Sequence, residues 1–333
     1  MIKRFTANLI RNILGLFGYS VIPTSMVQKW QTSPEGYGRK TELLSPDAES
    51  YLRPDHPELL SLKDRYQTFD SQVTVPLVWS EDRINGEDLQ YFRGSNAYLF
   101  QTGSMNRNLM GYLLQAYYIR VNDHLNLWDT LQEEGVFGVV LLQADNKIIS
   151  RDLLDSIQEI NYLSENLSGF SWEGANILDI GAGYGRLAYR MVKGMPMLGK
   201  YICTDAVPLS TFVCDYYLNS KAISDRAVSV PLDQIEDTLE QTNVELAVNI
   251  HSFSECRLEA IDWWLSLLAR HQVPYLFIVP NSKHGLLTID RKDFQPIIEK
   301  HGYRNISVDP KYRDPEMQKH AANPSIYHLF KLD

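Results

Sequence analysis

A glycine-dense turn constrains the fold of this chain more than any other feature. The apolar run Ile177–Ile180 is typical of a buried strand, and a helical pattern begins at Leu187. Three glycines lie between them, at Gly181, Gly183 and Gly185. Glycine permits positive φ and close approach of the backbone to a ligand, and the N terminus of the following helix offers free N–H groups. The segment therefore predicts a strand–turn–helix that binds a nucleotide or a related cofactor.

The spacing of these glycines argues against a dinucleotide. A dinucleotide-binding turn has the pattern G-x-G-x-x-G, in which the third glycine allows close packing of helix and strand. In this chain the third glycine comes early, and Arg186 occupies the position that the pattern reserves for glycine. Asp179, just before the turn, places a carboxylate at the strand tip. There it would support the turn or help to hold a cationic ligand.

The pattern D-x-G-x-G-x-G after an apolar strand resembles motif I of the class I S-adenosylmethionine (SAM)-dependent methyltransferases. The resemblance implies SAM as the cofactor, with Asp179, Gly181, Gly183 and Tyr184 among its contacts. A glycine turn that serves only tight packing is the alternative.

Beyond the turn, strands and helices alternate as a parallel sheet requires. The predicted strands are Ile177–Ile180, Tyr201–Asp205, Ala227–Val230, Leu246–Ile250, Tyr275–Val279, Asn305–Val308 and Ile326–Lys331. The last two match the antiparallel hairpin that closes the sheet of class I methyltransferases. We predict an α/β fold with a doubly wound, mostly parallel, seven-stranded, Rossmann-like sheet and a mainly helical N-terminal extension.

We divide the chain into three parts. Residues 1–20 form an amphipathic N-terminal helix, residues 21–149 an irregular and helical acceptor-side or lid region, and residues 150–333 the SAM-binding domain, starting with Ser150 as a helix N-cap. The first helix is too short and polar to span a membrane, and no signal-peptide cleavage site is evident. It would lie on a membrane surface, or pack against the protein's own body or a dimer mate, and packing is the preferred interpretation.

Composition limits the partners and the compartment. A formal net charge of −9 disfavours a nucleic-acid partner, because phosphate neutralisation needs a basic surface. The three cysteines, Cys203, Cys214 and Cys256, form no C-x-x-C pair, so neither a disulfide framework nor a zinc site is indicated. Reduced cysteines fit a cytoplasmic protein.

Ligands of open α/β sheets bind beyond the carboxyl ends of the strands, so each strand tip is a candidate site. At the second tip, Asp205 lies about 20 residues beyond the turn, where an acidic side chain accepts hydrogen bonds from ribose hydroxyls. At the third tip, Leu232 would pack on adenine and Asp233 would accept from its amino group. The alternative for both aspartates is helix capping.

The fourth tip, Asn249-Ile250-His251-Ser252-Phe253-Ser254-Glu255, is the predicted catalytic segment. An imidazole there suits removal of a hydroxyl proton, because its ordinary pKa lies near neutrality. His251 is therefore the expected general base, with Glu255 either orienting it or acting as the base. A structural histidine and a metal ligand are the alternatives, although the metal reading lacks carboxylates and histidines at ligand spacing. Asn249 is an expected cofactor contact.

The strand tips, together with residues 150–157 and 91–98, look like the sugar O-methyltransferase family of bacterial glycan gene clusters. The resemblance covers about residues 88–269 and implies a sugar or glycan-precursor acceptor. Arg151 would stand in front of the glycine turn and pair with the SAM carboxylate, or be an ordinary first-turn helix charge. Arg93, Asn96 and Tyr98 are the expected acceptor contacts, since sugars bind aromatic faces and planar polar groups, and core packing is the alternative. His284, after the fifth strand, is the second choice as a base.

The sequence thus predicts SAM-dependent O-methylation of a sugar or sugar nucleotide in glycan biosynthesis. One rival is an O-methyltransferase of another small molecule, such as a polyketide or phenol. Another is a non-catalytic partner protein with a SAM-binding fold. An NAD-dependent sugar-nucleotide enzyme is disfavoured by Arg186 and by the lack of a Tyr-x-x-x-Lys pair after the fourth strand.

Overall fold

The computed structural model describes residues 44–75, 77–79, 86–93 and 109–333, together with residues 10, 13, 14, 16 and 17. The amphipathic helix predicted over 1–20 therefore lies largely outside the described residues, as do Asn96 and Tyr98. The described side chains of Ile10, Ile13, Leu16 and Phe17 are exposed. Among the described residues, no helix is long and apolar enough to cross a membrane.

Short helices and one small hairpin precede the main sheet. They are α1 Pro46–Tyr51, α2 Pro57–Gln67, α3 Ser71–Thr74, a 3₁₀ turn Gly86–Tyr91, α4 Leu109–Asn122, α5 Leu127–Thr130, β1 Leu142–Ala144 and β2 Lys147–Ile149. Ser45, His56 and Asp70 cap the first three helices, each accepting a hydrogen bond from a backbone N–H of the first turn. Side-chain caps of this kind satisfy donors that a helix start leaves free.

The remaining elements alternate as predicted. They are α6 Arg151–Asn166, β3 Ile177–Ile180, α7 Arg186–Gly194, β4 Tyr201–Thr204, α8 Pro208–Ser220, β5 Ala227–Ser229, a 3₁₀ turn Leu232–Gln234, α9 Ile235–Gln241, β6 Leu246–Ile250, α10 Ser252–Glu255, α11 Leu258–Arg270, β7 Tyr275–Val279, α12 Gln295–Lys300, β8 Tyr303–Pro310, α13 Pro315–His320 and β9 Ile326–Leu332. All residues of β3 and β4 are buried, as continuous apolar strands of a parallel sheet must be.

The sheet has the order β5-β4-β3-β6-β7-β9-β8. Its first five strands are parallel, and β9 runs antiparallel to both of its neighbours. The predicted fold class, a doubly wound and mostly parallel seven-stranded sheet with an antiparallel closing pair, is therefore confirmed. Strand order reverses at β3, where β4 lies on one side and β6 on the other. Ligands of such sheets bind at this switch point.

The N-terminal helices and the sheet share one hydrophobic core. Leu59, Leu62 and Tyr66 of α2 belong to the same buried cluster as the sheet residues. Helix α2 packs on α8 and on the 3₁₀ turn after β5, and α3 packs on α11. The described N-terminal region therefore covers one end of the switch point, while the domain boundaries drawn at residues 20 and 149 stay predictions.

Helix α6 begins where the sequence predicts. The Ser150 hydroxyl accepts a hydrogen bond from the N–H of Leu153 at 3.1 Å, so the predicted N-cap is confirmed. Residues 152–163 are buried along the whole helix, including three carboxylates at Asp152, Asp155 and Glu159. Buried carboxylates need partners, and these three are paired with cationic or hydroxyl groups beneath the switch point.

Candidate active site

The glycine turn adopts a backbone conformation that requires glycine. Gly181, Gly183 and Gly185 have φ values of 76°, 58° and 82°. A Cβ on Gly181 would lie 2.2 Å from the Ser252 hydroxyl oxygen, because the start of α10 packs directly against the turn. Nothing lies within 4 Å of a Cβ built on Gly183, so the backbone there stays open. The turn is therefore tightly packed at its first glycine and accessible at its second.

One cavity of about 210 Å³ lies at the switch point, against the open side of this turn. The predicted site residues that line it are Arg151, Asp179, Gly181, Gly183, Tyr184, Asp205, His251 and Glu255. Trp79, Asp152, Asp155, Ser252 and Asn281 line it as well, and the sequence did not single them out. Residues from four strand tips, from α6 and from the segment 77–79 thus meet in one space.

Asp205 holds the glycine turn through a direct hydrogen bond. One carboxylate oxygen accepts a hydrogen bond from the N–H of Gly183 at 3.0 Å, and the other accepts from the N–H of Val207 at 2.9 Å. Burial raises the pKa of Asp205 to about 6, the two backbone donors oppose the shift, and nearby Glu255 adds to it. Each carboxylate oxygen can accept more than one hydrogen bond, so Asp205 can hold the turn and still bind a hydroxyl in the cavity.

Asp179 is a second carboxylate on the cavity wall. It is buried and accepts a hydrogen bond from the Tyr201 hydroxyl at 2.9 Å. Burial raises its pKa to about 7, against the effects of Tyr201 and of Arg186. A buried carboxylate with a raised pKa is stabilised in its charged form by a cationic neighbour. Asp179 is therefore suited to a cavity that receives positive charge.

His251 lies at the tip of β6 in an unusual conformation. Its φ is 70°, and its N–H donates to the carbonyl of Val279 at 2.7 Å, which fixes the backbone. Its Nδ1 is buried, and no described residue forms a hydrogen bond with that atom. Burial lowers the pKa of His251 to about 3, and the positive charges of Arg151 and Arg186 add to the effect. The imidazole is therefore neutral at physiological pH.

Glu255 is held by two side chains from other elements. Its Oε2 accepts from the indole N–H of Trp79 at 2.5 Å, and its Oε1 accepts from the Asn281 amide at 2.9 Å. The backbone N–H of Leu77 also donates to the Glu255 carbonyl at 2.8 Å. This carboxylate consequently joins the N-terminal segment to the tips of β6 and β7. The sequence gives no indication that Trp79 is a site residue, because Trp79 follows an irregular segment in which apolar residues show only weak periodicity.

Two partly buried arginines line the cavity, each paired with a buried carboxylate. The Nε of Arg151 lies 3.3 Å from an Asp155 oxygen, and Lys311 donates to the other oxygen at 2.5 Å. Arg186 donates to both Glu159 oxygens at 2.7 and 3.2 Å, and so joins α7 to α6. Arg186 thus occupies the position where a dinucleotide turn needs glycine, and its side chain has a structural role.

The structure corrects the expectation for Arg93. Its side chain is fully buried, pairs with Glu133 at 2.8 Å and with Asp152 at 3.5 Å, and donates to the Tyr184 hydroxyl at 3.2 Å. Tyr184 in turn donates to Asp152. Arg93 cannot reach an acceptor molecule, because it is part of a buried polar network. That network fixes the Tyr184 side chain. Tyr184 therefore lines the cavity, but its hydroxyl is already hydrogen-bonded to Arg93 and Asp152.

The expectation for Asn249 is corrected too. This side chain is fully buried, donates to the carbonyl of Ile180 at 2.9 Å and accepts from the N–H of Phe253 at 2.9 Å. It does not line the cavity. Its amide links the tip of β3 to α10. Asn249 therefore supports the backbone around the cavity and does not face the cavity itself.

Three further predicted contacts lie away from the cavity. Leu232 is buried and Asp233 is paired with Arg65, so neither lines the space next to the turn. His284 is exposed in the loop after β7 and does not line the cavity either. Among the described residues, no group of three or more His, Cys, Asp or Glu side chains is arranged to hold a metal ion.

Comparison with known proteins finds similarity only at the level of solved structures. No protein-family model matches the chain, and no curated protein does. A NADB-Rossmann superfamily protein from Streptococcus agalactiae is 13% identical, with a TM-score of 0.40 over 57% of this chain and 69% of that one. Mitomycin 7-O-methyltransferase is 15% identical, with a TM-score of 0.38 over 54% and 57%. Magnesium protoporphyrin IX methyltransferase from Synechocystis, solved with bound SAM, is 11% identical, with a TM-score of 0.39 over 65% and 97%. Scores this low assign no activity to this chain.

Proposed function

We propose that this chain is a SAM-dependent methyltransferase. The observation that carries the proposal is the direct hydrogen bond between the glycine turn and Asp205, which line one cavity at the switch point. The open backbone at Gly183 lets a ligand approach closely, and Asp205 offers acceptors for ribose hydroxyls. Asp179 suits a cationic donor, and Arg151 suits the donor's carboxylate. When bound, SAM supplies an activated methyl group, and the protein supplies binding and alignment.

We propose further that the acceptor group is a hydroxyl of a sugar or sugar nucleotide, as the family resemblance implies. Trp79 supports this proposal, because its indole lines the cavity beside Glu255 and Asn281. An aromatic face next to planar polar groups suits a sugar ring. Trp79 and Asn281 thus take the place that the sequence analysis gave to Arg93.

For the proton of the acceptor hydroxyl, we propose His251 as the base. Its imidazole is neutral, and its buried Nδ1 has no hydrogen-bond partner among the described residues. Its low pKa makes it a weak base, because burial and the positive charges of Arg151 and Arg186 disfavour the protonated form. Alignment of acceptor and donor therefore provides the larger part of the rate acceleration. In favourable cases it lowers the activation free energy by up to about 7–11 kcal/mol. Glu255, the other predicted candidate, is the alternative base.

The test is transfer of labelled methyl from SAM. The full-length protein is incubated with a panel of sugar nucleotides and, in parallel, with phenolic acceptors, and mass spectrometry identifies methylated products. We expect methyl transfer to a hydroxyl of a sugar-containing acceptor and none with Asp205→Ala, which also lowers SAM affinity in calorimetry. Transfer to phenols alone would replace the sugar assignment. SAM binding without transfer to any acceptor would favour a non-catalytic partner protein.

A further inference from the structure

Two cations share one buried carboxylate near the start of α6. One oxygen of Asp155 lies 3.3 Å from the Nε of Arg151, and the other accepts a hydrogen bond from the Nζ of Lys311 at 2.5 Å. Burial alone would raise the pKa of Asp155, but Lys311 and Arg151 outweigh it and hold that pKa well below its usual range. The Arg151–Asp155–Lys311 cluster therefore carries one net positive charge.

Lys311 reaches this carboxylate from the far end of the chain, across 156 residues. Its N–H donates to the carbonyl of Ser325 at 2.9 Å, and its own carbonyl accepts from the Gln158 side chain at 3.2 Å, which fixes its backbone between the closing strands and α6. Burial lowers the pKa of Lys311, while the contact with Asp155 favours its charged form. The side chain is 3% exposed and does not line the cavity. Lys311 can therefore act on a ligand only through Asp155 and Arg151.

The other two members of the cluster, Arg151 and Asp155, do line the cavity. His251 lines it as well, and its imidazole responds to the sign of the charge nearby. Burial and then the charge of Arg151 lower the pKa of His251 to about 3, and the opposing effect of Asp155 is smaller. The part of the cavity next to the cluster is therefore a region of positive potential.

The remaining charges of the cavity wall sharpen this contrast. Arg186 pairs with Glu159 at 2.7 Å, and Asp152 lies 3.5 Å from Arg93, so these charges are balanced within the protein. Three carboxylates line the cavity at the strand tips, namely Asp179, Asp205 and Glu255. The cavity thus has a positive part at the cluster and a negative part at the strand tips. Such a field suits a ligand that carries a carboxylate at one end and cationic or hydroxyl groups elsewhere.

We propose that Lys311 is a positioning residue for the carboxylate of the bound donor. Its charge compensates Asp155, so that Arg151 presents net positive charge to the cavity and binds that carboxylate. The inference rests on the proposed function, in which the donor is SAM. Without the charge of Lys311, Arg151 and Asp155 cancel each other, and the carboxylate loses its attraction to this part of the cavity.

The experiment compares two ligands by calorimetry in the full-length protein. They are S-adenosylhomocysteine and its decarboxylated analogue, which keeps the adenosyl group and the amine. Lys311→Gln removes the charge and retains a hydrogen-bond donor for Asp155. We expect this variant to bind S-adenosylhomocysteine about tenfold more weakly than wild type, which is the size of one charge-assisted hydrogen bond, and to bind the analogue no more weakly. A loss confined to the ligand with the carboxylate is a result that a merely structural lysine would not give.

Two further lysine variants serve as controls. Lys311→Arg keeps the charge and should retain the preference for S-adenosylhomocysteine over the analogue. Lys319→Gln changes an exposed lysine of α13 and should bind both ligands as wild type does.

Asp155→Asn gives a prediction of the opposite sign. It removes the negative charge and leaves both cations, so the preference for S-adenosylhomocysteine should increase. This variant keeps the inference testable if Lys311→Gln fails to fold. A lost preference in Asp155→Asn, or in Lys311→Gln either an equal loss for both ligands or no loss at all, would overturn the positioning role and leave the methyltransferase proposal intact. Absence of S-adenosylhomocysteine binding in wild type would overturn the methyltransferase proposal and this one with it.

Discussion

Asp205 combines a structural role with the ligand-binding role that we propose for it. It holds the N–H groups of Gly183 and Val207 and also lines the cavity. Those donors favour the charged form, yet burial dominates and raises the pKa to about 6. Ribose hydroxyls need the charged acceptor, because a protonated carboxylic acid has fewer acceptor sites. Protonation of Asp205 should therefore lower donor affinity.

We predict that affinity for S-adenosylhomocysteine rises with pH through about 6, the pKa of Asp205. Below that pKa the carboxylate is protonated, and each further pH unit costs up to about tenfold in affinity. Calorimetry between pH 5 and 8 measures the profile. Asp205→Asn should bind weakly and lose the inflection near 6, while retaining one near 7 from Asp179. A wild-type profile without the lower inflection would contradict the ribose role.

His251 should contribute to turnover without a histidine-like pH dependence. Its pKa of about 3 keeps the imidazole neutral throughout the physiological range, so no loss of activity near pH 6.5 should come from it. A positioned base is worth about 10²–10⁴-fold, and this weak base should lie near the lower end. His251→Ala is therefore expected to reduce kcat about 10²-fold. Donor affinity should not change, and an unchanged kcat would exclude His251 and leave Glu255→Gln as the next variant.

At the scale of elements, the glycine turn depends on α10 as well as on its own backbone. Gly181 and Gly183 both have positive φ, but only Gly181 faces another element closely, at the Ser252 side chain. The turn between β3 and α7 is thus held by its conformation at every glycine, by the closest packing at Gly181, and by contact of Gly185 with α8. Comparing alanine at the two positions separates these contributions.

Gly181→Ala should damage the protein far more than Gly183→Ala. Both variants adopt a left-handed conformation that costs about 1–2 kcal/mol for a non-glycine residue. Only the Gly181 variant also places a Cβ within 2.3 Å of two Ser252 side-chain atoms, so Ser252 or the turn must move. Chemical denaturation gives the difference in stability, and calorimetry gives the loss of S-adenosylhomocysteine binding. Equal losses in the two variants would show that conformation alone decides the turn.

At the scale of the whole molecule, a buried ion cluster joins the N-terminal region to the sheet. Glu133 pairs with Arg93 at 2.8 Å and with Arg190 of α7 at 2.9 Å, and all three side chains are at most 2% exposed. Burial alone would raise the pKa of Glu133, but the two guanidinium groups outweigh it and lower the pKa to about 2. The cluster therefore stabilises the fold above the ordinary pKa of 4.5 and loses this contribution as pH falls towards 2.

Glu133→Gln should lower the free energy of unfolding by about 3–5 kcal/mol, because it leaves the buried Arg190 without its carboxylate and the buried Arg93 with Asp152 alone. Glu134→Gln is the matched control at the next position, where the carboxylate is 45% exposed and pairs with Lys221. Because the Glu134 carboxylate reaches solvent, we expect the pair to be worth only about 0–1 kcal/mol, although the Lys221 side chain is 9% exposed. Urea denaturation of both variants measures the difference. A Glu133→Gln loss as small as that of the control would contradict a stabilising role for the cluster.

The features predicted correctly from sequence are local ones. Strand β3, its glycine turn and the Ser150 cap each follow from a few adjacent residues whose conformational preferences agree. The alternation of apolar strands and helices then limited the fold to a parallel sheet with a closing antiparallel pair. The strand tips therefore identified Asp205, His251 and Glu255 as neighbours around one cavity.

Contacts between side chains of distant elements could not be predicted from local sequence patterns. Arg93 and Asn249 carried polar groups at plausible positions, yet the fold buries both among structural partners. Trp79 and Tyr66 lie in the region of weak periodicity, and nothing nearby in sequence indicates that they reach Glu255 and Leu232. Such contacts depend on how α2 and the segment 77–79 pack on the sheet.

The sequence by itself determined the sheet, the glycine turn and the end of the sheet where the cavity lies, because glycine conformation and apolar periodicity act over a few residues. Only the tertiary structure decided which polar side chains are free to bind a ligand. Burial and pairing depend on groups far apart in the chain, and a carboxylate or arginine looks the same in sequence whether it faces a cavity or an ion pair. Tyr66 and Arg65 likewise contact the tip of β5 only because the folded chain packs α2 against it.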